Sequence, residues 1–109
     1  MVAENEPYES GVIIINVSDL NDGTNNPRAI QTKLETALTL LQTFSKQRIV
    51  IQCRAGISRS PTIAAAVLAL YKAIDFDTAL NEVTHRIPRT HLNYDLVDSC
   101  REALKLVKN

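Results

Sequence analysis

The residues best equipped to do chemistry lie in one run, Ile49-Val50-Ile51-Gln52-Cys53-Arg54-Ala55-Gly56-Ile57-Ser58-Arg59-Ser60-Pro61-Thr62. A short apolar segment leads to a cysteine, a tight loop with Gly56 at its middle follows, and an arginine and a serine open an apolar helix. A strand, loop and helix in that order suit a tetrahedral oxyanion. Successive backbone N–H groups of Arg54, Ala55, Gly56, Ile57, Ser58 and Arg59 can curl around one centre, and the helix N-terminus adds partial positive charge. A thiol at the floor of such a cradle is held as thiolate, because the surrounding dipoles favour negative charge. Arg59 adds a planar fork that matches two phosphate oxygens. The competing reading is a core cysteine that ends a strand, with Arg59 a solvated helix residue. The agreement of strand, glycine, serine and helix weighs against it.

These residues need elements to hold them. Val12-Ile13-Ile14-Ile15-Asn16-Val17 is β-branched and continuously apolar, which predicts a strand buried on both faces of a parallel sheet. Ser18 to Asn26 is rich in turn formers, including Asp19, Asn21, Asp22 and Gly23. Asn26 and Pro27 open a helix as cap and first residue. Ile30, Leu34, Leu38, Leu41 and Phe44 carry its apolar stripe to about Ser45, with Lys33, Glu35 and Gln42 on the other face. Arg48 to Gln52 then forms a second strand, and strand, crossover helix and strand make a parallel pair.

The helix after the loop, from about Ser60 to Ala73, is apolar nearly all round and should be central; Pro61 is tolerated in its first turn. Asp75 or Asp77 can cap a further helix with Ala79, Leu80 and Val83, which Pro88 ends. Asn93 caps a last helix with Tyr94, Val97, Cys100, Leu104 and Val107 on one face. The expected fold is α/β: a small parallel sheet with flanking helices, built around the strand–phosphate loop–helix unit. Residues 1–11 read as a polar arm and 12–109 as one domain.

A chain of 109 residues has room for one core. Hydrophobic content of 45% with 22% charged residues describes an ordinary globular protein. Lys+Arg and Asp+Glu both total 12, which argues against a nucleic-acid binder, since that needs excess positive charge. No secretory signal is present and the apolar runs Val12–Ile15 and Ile63–Tyr71 are too short to cross a bilayer, so no membrane association is expected. Two cysteines are too few for a disulfide scaffold, and a reactive thiolate at Cys53 implies a reducing, cytoplasmic setting. His85 and His91 lack the spacing of a metal site. Cys100 reads as a small buried hydrophobe.

The run Cys53-Arg54-Ala55-Gly56-Ile57-Ser58-Arg59-Ser60 resembles the Cys-x5-Arg signature loop of the cysteine-based protein tyrosine phosphatases, and its wording is most similar to the dual-specificity branch. The resemblance spans roughly Val12 to Val107. It implies hydrolysis of phosphoprotein or phosphopeptide substrates through a phosphocysteine on Cys53, without cofactor or metal. Arg59 and the loop amides would hold the phosphate, and the Ser60 hydroxyl would ease the departure of sulfur. The family takes its general acid from an aspartate after a strand of the form Ile-x-Ile-x-Asp. Ile15-Asn16-Val17-Ser18-Asp19 has a closely similar form, which favours Asp19, with Asp22 on the same loop as rival.

Three departures carry their own expectations. Gln52 stands where the family usually has histidine; an amide can hydrogen-bond but carries no charge, so the thiolate loses one stabiliser. The family's N-terminal strands and recognition segment have no counterpart before Val12. That leaves a sheet edge for the arm or a second copy of the chain to cover, making a homodimer one expectation, and a shallow site open to phosphotyrosine and phosphoserine/threonine. The variable loop positions Arg54, Ala55, Ile57 and Ser58 lack the lysines that phosphoinositide enzymes tend to carry. Arg86 and Arg89 either extend a positive rim or are simply solvated. Two other classes remain in view: a phosphate-binding module without turnover, and another Cys-x5-Arg oxyanion enzyme such as an arsenate reductase, for which Cys100 is a poor partner thiol.

Overall fold

The computed structural model describes residues 12–44, 48–53 and 58–107. Strands β1 (Val12–Asn16) and β2 (Arg48–Gln52) pair in parallel, with Ile14 opposite Val50 and Ile15 opposite Ile51. Among the described residues four helices complete the fold: α1 (Pro27–Thr43), α2 (Arg59–Lys72), α3 (Phe76–Arg86) and α4 (Tyr94–Leu106). The small parallel α/β architecture read from the sequence is the one found. The proposed arm, residues 1–11, lies outside the described residues.

The helices begin where short polar side chains stop the chain from extending further. The Asn26 side chain accepts from the Arg28 N–H ahead of α1, with Pro27 as first helical residue. Asp75, of the two candidates, caps α3 by accepting from the Thr78 N–H at 3.1 Å. Asp77 instead pairs with Arg101 of α4, whose guanidinium also lies 5.3 Å from the centre of the Phe76 ring.

Helix α2 is central, as its apolar circumference requires, and touches α1, α3, α4 and β2. Its buried Ile63, Ala65, Ala66 and Val67 join Ile15, Val17, Ile30, Leu34, Leu96 and Val97 in one core. Burying an aliphatic side chain of this size contributes about 1.5–3 kcal/mol. Among the described residues no helix is long and apolar enough to cross a membrane.

One expectation fails: β1 is not buried on both faces. Ile15 is 1% exposed and its neighbour Ile51 packs against the core, whereas Ile14 is half-buried and Val50 is 40% exposed. Among the described residues the core contacts of the sheet run through the Ile15–Ile51 side. A continuous apolar run reports hydrophobicity, and it cannot report how many layers the rest of the chain will supply.

Candidate active site

Because β1 and β2 run parallel, both end at the same edge of the sheet, and α2 starts there. The Val17 N–H donates to the Gln52 carbonyl at 2.8 Å, holding the two strand exits side by side. Cys53 leaves β2 at this edge and the polar segment 18–26 leaves β1. Cys53 is half-buried, and both cysteines of the chain are reduced.

The first turn of α2 faces the sulfur. The backbone N–H of Ser60 donates to Cys53 Sγ at 3.3 Å. An unpaired first-turn amide carries part of the helix's positive end, so it favours a negatively charged partner. The sequence reading assigned Ser60 to the sulfur through its hydroxyl. The contact found runs through its amide.

Arg59 Nη1 donates to the carbonyls of Ser18 and Leu20, both at 2.9 Å. These flank Asp19, so the arginine ties the aspartate-bearing segment to the start of α2. Both contacts use one corner of the guanidinium. The Nε–Nη2 edge keeps the geometry for two oxygens of an anion.

The two aspartates have different partners. Asp19 is 68% exposed, and its Oδ1 lies 3.2 Å from Lys33 Nζ. Lys33 is only 14% exposed and also donates to the Asn16 carbonyl at 3.0 Å. It was expected on the solvent face of α1, and instead it reaches across to the end of β1. Asp22 accepts from Ser58 Oγ through Oδ1 at 2.6 Å, and its carbonyl accepts from Asn93 Nδ2 at 2.8 Å. Asn93 caps α4 as expected, with Oδ1 accepting from the Asp95 and Leu96 N–H groups. Capping does not exhaust it, because the amide nitrogen serves Asp22.

The turn formers of the segment build a frame of their own. The Asn25 side chain accepts from the Asn21 N–H and donates to the Asn21 and Gly23 carbonyls, while the Asn25 N–H donates to Ser99 Oγ at 3.0 Å. The structure thus brings Cys53, Ser58, Arg59 and Ser60 together with the segment carrying Asp19 and Asp22. Arg54, Ala55, Gly56 and Ile57 lie outside the described residues. His85, Arg86, Arg89 and His91 are exposed, and Cys100 is buried in the core, where desolvation pushes its thiol up to about 12. Lys33 and the second bond of Asn93 were missed by sequence reasoning. Neither has a local signal, since each acts on a residue far away in the chain.

No family description matches the chain, and no curated protein matches it. Its fold is similar to that of a leucine-rich-repeat and phosphatase-domain-containing protein from Entamoeba histolytica, with a TM-score of 0.68 and 17% identity over 88% of this chain and 72% of that one. The fold is phosphatase-like. At this identity the likeness is one of fold alone, and activity has to be argued from the residues.

Proposed function

We propose that the protein hydrolyses phosphate monoesters on proteins, phosphotyrosine and phosphoserine/threonine, through a phosphocysteine on Cys53. The observation that carries this reading is the Ser60 amide aimed at Cys53 Sγ from the start of α2, with Arg59 beside it. A backbone donor at sulfur favours the thiolate, which is the nucleophilic form. In the first step Sγ attacks phosphorus, the P–O ester bond breaks, and Asp19 gives its proton to the departing oxygen. Arg59 and the amides of Arg54, Ala55, Gly56, Ile57 and Ser58 hold the equatorial oxygens, more tightly as charge builds in the transition state.

In the second step Asp19, now a carboxylate, takes a proton from water. The water oxygen attacks phosphorus, the P–S bond breaks, and inorganic phosphate and the thiolate are released. The Ser60 amide stabilises the sulfur as it leaves, and its hydroxyl is near enough in sequence to add to this. For Asp19 to serve, its carboxyl turns from Lys33 toward the leaving oxygen, which its exposure permits. A working thiolate also requires surroundings that keep thiols reduced, so the reading carries a cytoplasmic location with it.

Hydrolysis of an aryl phosphate by wild type and Cys53→Ser tests the proposal. Loss of turnover in the variant supports it, and equal rates end it. A second reading, a phosphate-binding module without turnover, draws support from the Asp19–Lys33 ion pair, which engages the acid. Tight phosphopeptide binding with no phosphate released over hours would favour that alternative.

A further inference from the structure

We propose that Tyr94 and Arg89 form a rim that binds the peptide around the phosphorylated residue, Tyr94 by packing against it and Arg89 by pairing with an acidic side chain. Both roles rest on the Cys53 site taking a phosphorylated residue, as argued above. Helical spacing puts Tyr94 on one face of α4 with Val97 and Cys100. Those two are 2% and 0% exposed, yet Tyr94 is 71% exposed. The other exposed large apolar side chains, Phe44, Val50, Tyr71 and Ile87, lie between 37% and 51%. Tyr71 also has company, since it lines an apolar cavity with Leu41, Ile51 and Val67. A single exposed apolar side chain is common on a protein surface. Tyr94 gains meaning from where it stands.

Tyr94 is the first residue of α4. Side chains of a helix tilt toward its N-terminus, so the ring leans past the end of α4. That end is tied to the candidate site. Asn93 Nδ2 donates to the Asp22 carbonyl at 2.8 Å, and Asp22 Oδ1 accepts from Ser58 Oγ at 2.6 Å. Ser58 leads into Arg59 and Ser60, whose amide donates to Cys53 Sγ. The Asn25 N–H adds a second tie, to Ser99 Oγ further along α4. The helix start that carries the ring therefore stands against the aspartate-bearing segment, at the edge of the sheet where the phosphate would bind. A peptide held there by its phosphate lays its flanking residues over the exposed groups of this edge.

Arg89 adds charge to the same edge. The Thr90 N–H donates to the Ile87 carbonyl at 2.9 Å, which turns the chain at Pro88 and Arg89, and Leu92 packs back against the core. Arg89 is exposed at that turn. The ion pairs among the described residues engage Lys33, Arg101 and Lys105, and Arg89 takes part in none of them. It lies four residues from Asn93, at most about 14 Å along the chain. An acidic side chain a few residues from the phosphorylated one is therefore within its range. An exposed ring beside an unpaired guanidinium fits a phosphopeptide with acidic flanks: the ring packs against the chain and the fork takes a carboxylate.

The experiment measures kcat and KM for para-nitrophenyl phosphate, for a phosphotyrosine peptide with glutamates on both sides of the phosphotyrosine, and for the same peptide with alanines in their place. Tyr94→Ala is expected to lower kcat/KM for both peptides about fivefold relative to para-nitrophenyl phosphate, through KM, because the small ester has no flanking residues to meet the rim. Tyr94→Phe keeps the ring and with it the wild-type ratio. Arg89→Ala is expected to cost about threefold on the glutamate peptide alone. The Tyr94 ring is exposed, so its loss leaves the core intact. A Tyr94→Ala ratio equal to wild type, a loss that falls on kcat, or a Tyr94→Phe ratio as low as that of Tyr94→Ala overturns the proposal. An Arg89→Ala loss of equal size on the two peptides overturns the role of Arg89. Should no substrate turn over, the affinity of the labelled peptides is read by fluorescence anisotropy. A fivefold loss of affinity in Tyr94→Ala then ends the hydrolysis reading and leaves the rim standing, and an unchanged affinity ends both. Turnover with an unmoved ratio ends the rim alone.

Discussion

The two cysteines of this chain have the same side chain and opposite surroundings. Cys53 sits half-buried at the exit of β2, where the first turn of α2 directs an amide at its sulfur. Cys100 is fully buried on the inner face of α4, in the core with Leu96, Val97 and Ala103, and its thiol is pushed up to about 12 by desolvation. In the middle of a helix the backbone amides are already bonded to carbonyls and have nothing to offer a sulfur. At the start of a helix they are not. If Cys53 is the nucleophile proposed above, what sets it apart from the core residue Cys100 is where the backbone leaves donors unused, and much less the residue type.

The largest effect that contrast predicts is on turnover. Cys53→Ser should lower aryl phosphate hydrolysis by about 10³-fold or more, while Cys100→Ser leaves kcat unchanged; similar losses in both variants would erase the distinction. Next is the acid. Asp19→Asn is expected to cost about 10²-fold in kcat and to remove one limb of the pH–rate profile. If both limbs survive, the role passes to Asp22. Smaller again is Lys33→Met, which frees Asp19 from the ion pair it must leave to protonate the leaving group and should raise kcat about threefold with little change in KM. A fall in Tm without a change in kcat would make Lys33 a purely structural lysine.

The core cysteine makes its own prediction, in stability. The Cys100 thiol is raised from 9.0 to about 12 in the folded state, so between those values the folded protein holds a proton that the unfolded chain releases. Its contribution is therefore complete below pH 9 and is lost as pH climbs toward 12, by about 1.4 kcal/mol per pH unit. Chemical denaturation of wild type and Cys100→Ala across this range checks the sign. Stability of the wild type should fall faster with rising pH, and parallel curves would mean that burial of Cys100 is incomplete in solution.

Much of this arrangement was legible in the sequence because it is written over short distances. Helix starts at Asn26, Asp75 and Asn93 follow from side chains that bond amides two or three residues on. The β-branched runs gave the two strands, and the crossover between them gave the parallel pairing. The apolar circumference of α2 gave its central position. Cys53, Arg59 and Ser60 were recognisable because the loop that joins them is itself local.

Tertiary structure decided what those signals could not reach. It left Val50 40% exposed and Ile14 half-buried, since how fully a strand is covered depends on where distant elements pack. It turned Lys33 from a presumed solvent-facing helix residue into the partner of Asp19, and it gave Asn93 a second bond to a carbonyl 71 positions away. It also sent the Ser58 hydroxyl to Asp22, 36 positions away. The sequence by itself determined which groups could do chemistry and which elements would carry them. Which donor meets which acceptor was settled by packing, because a hydrogen bond between distant residues exists only once the core has brought their elements together.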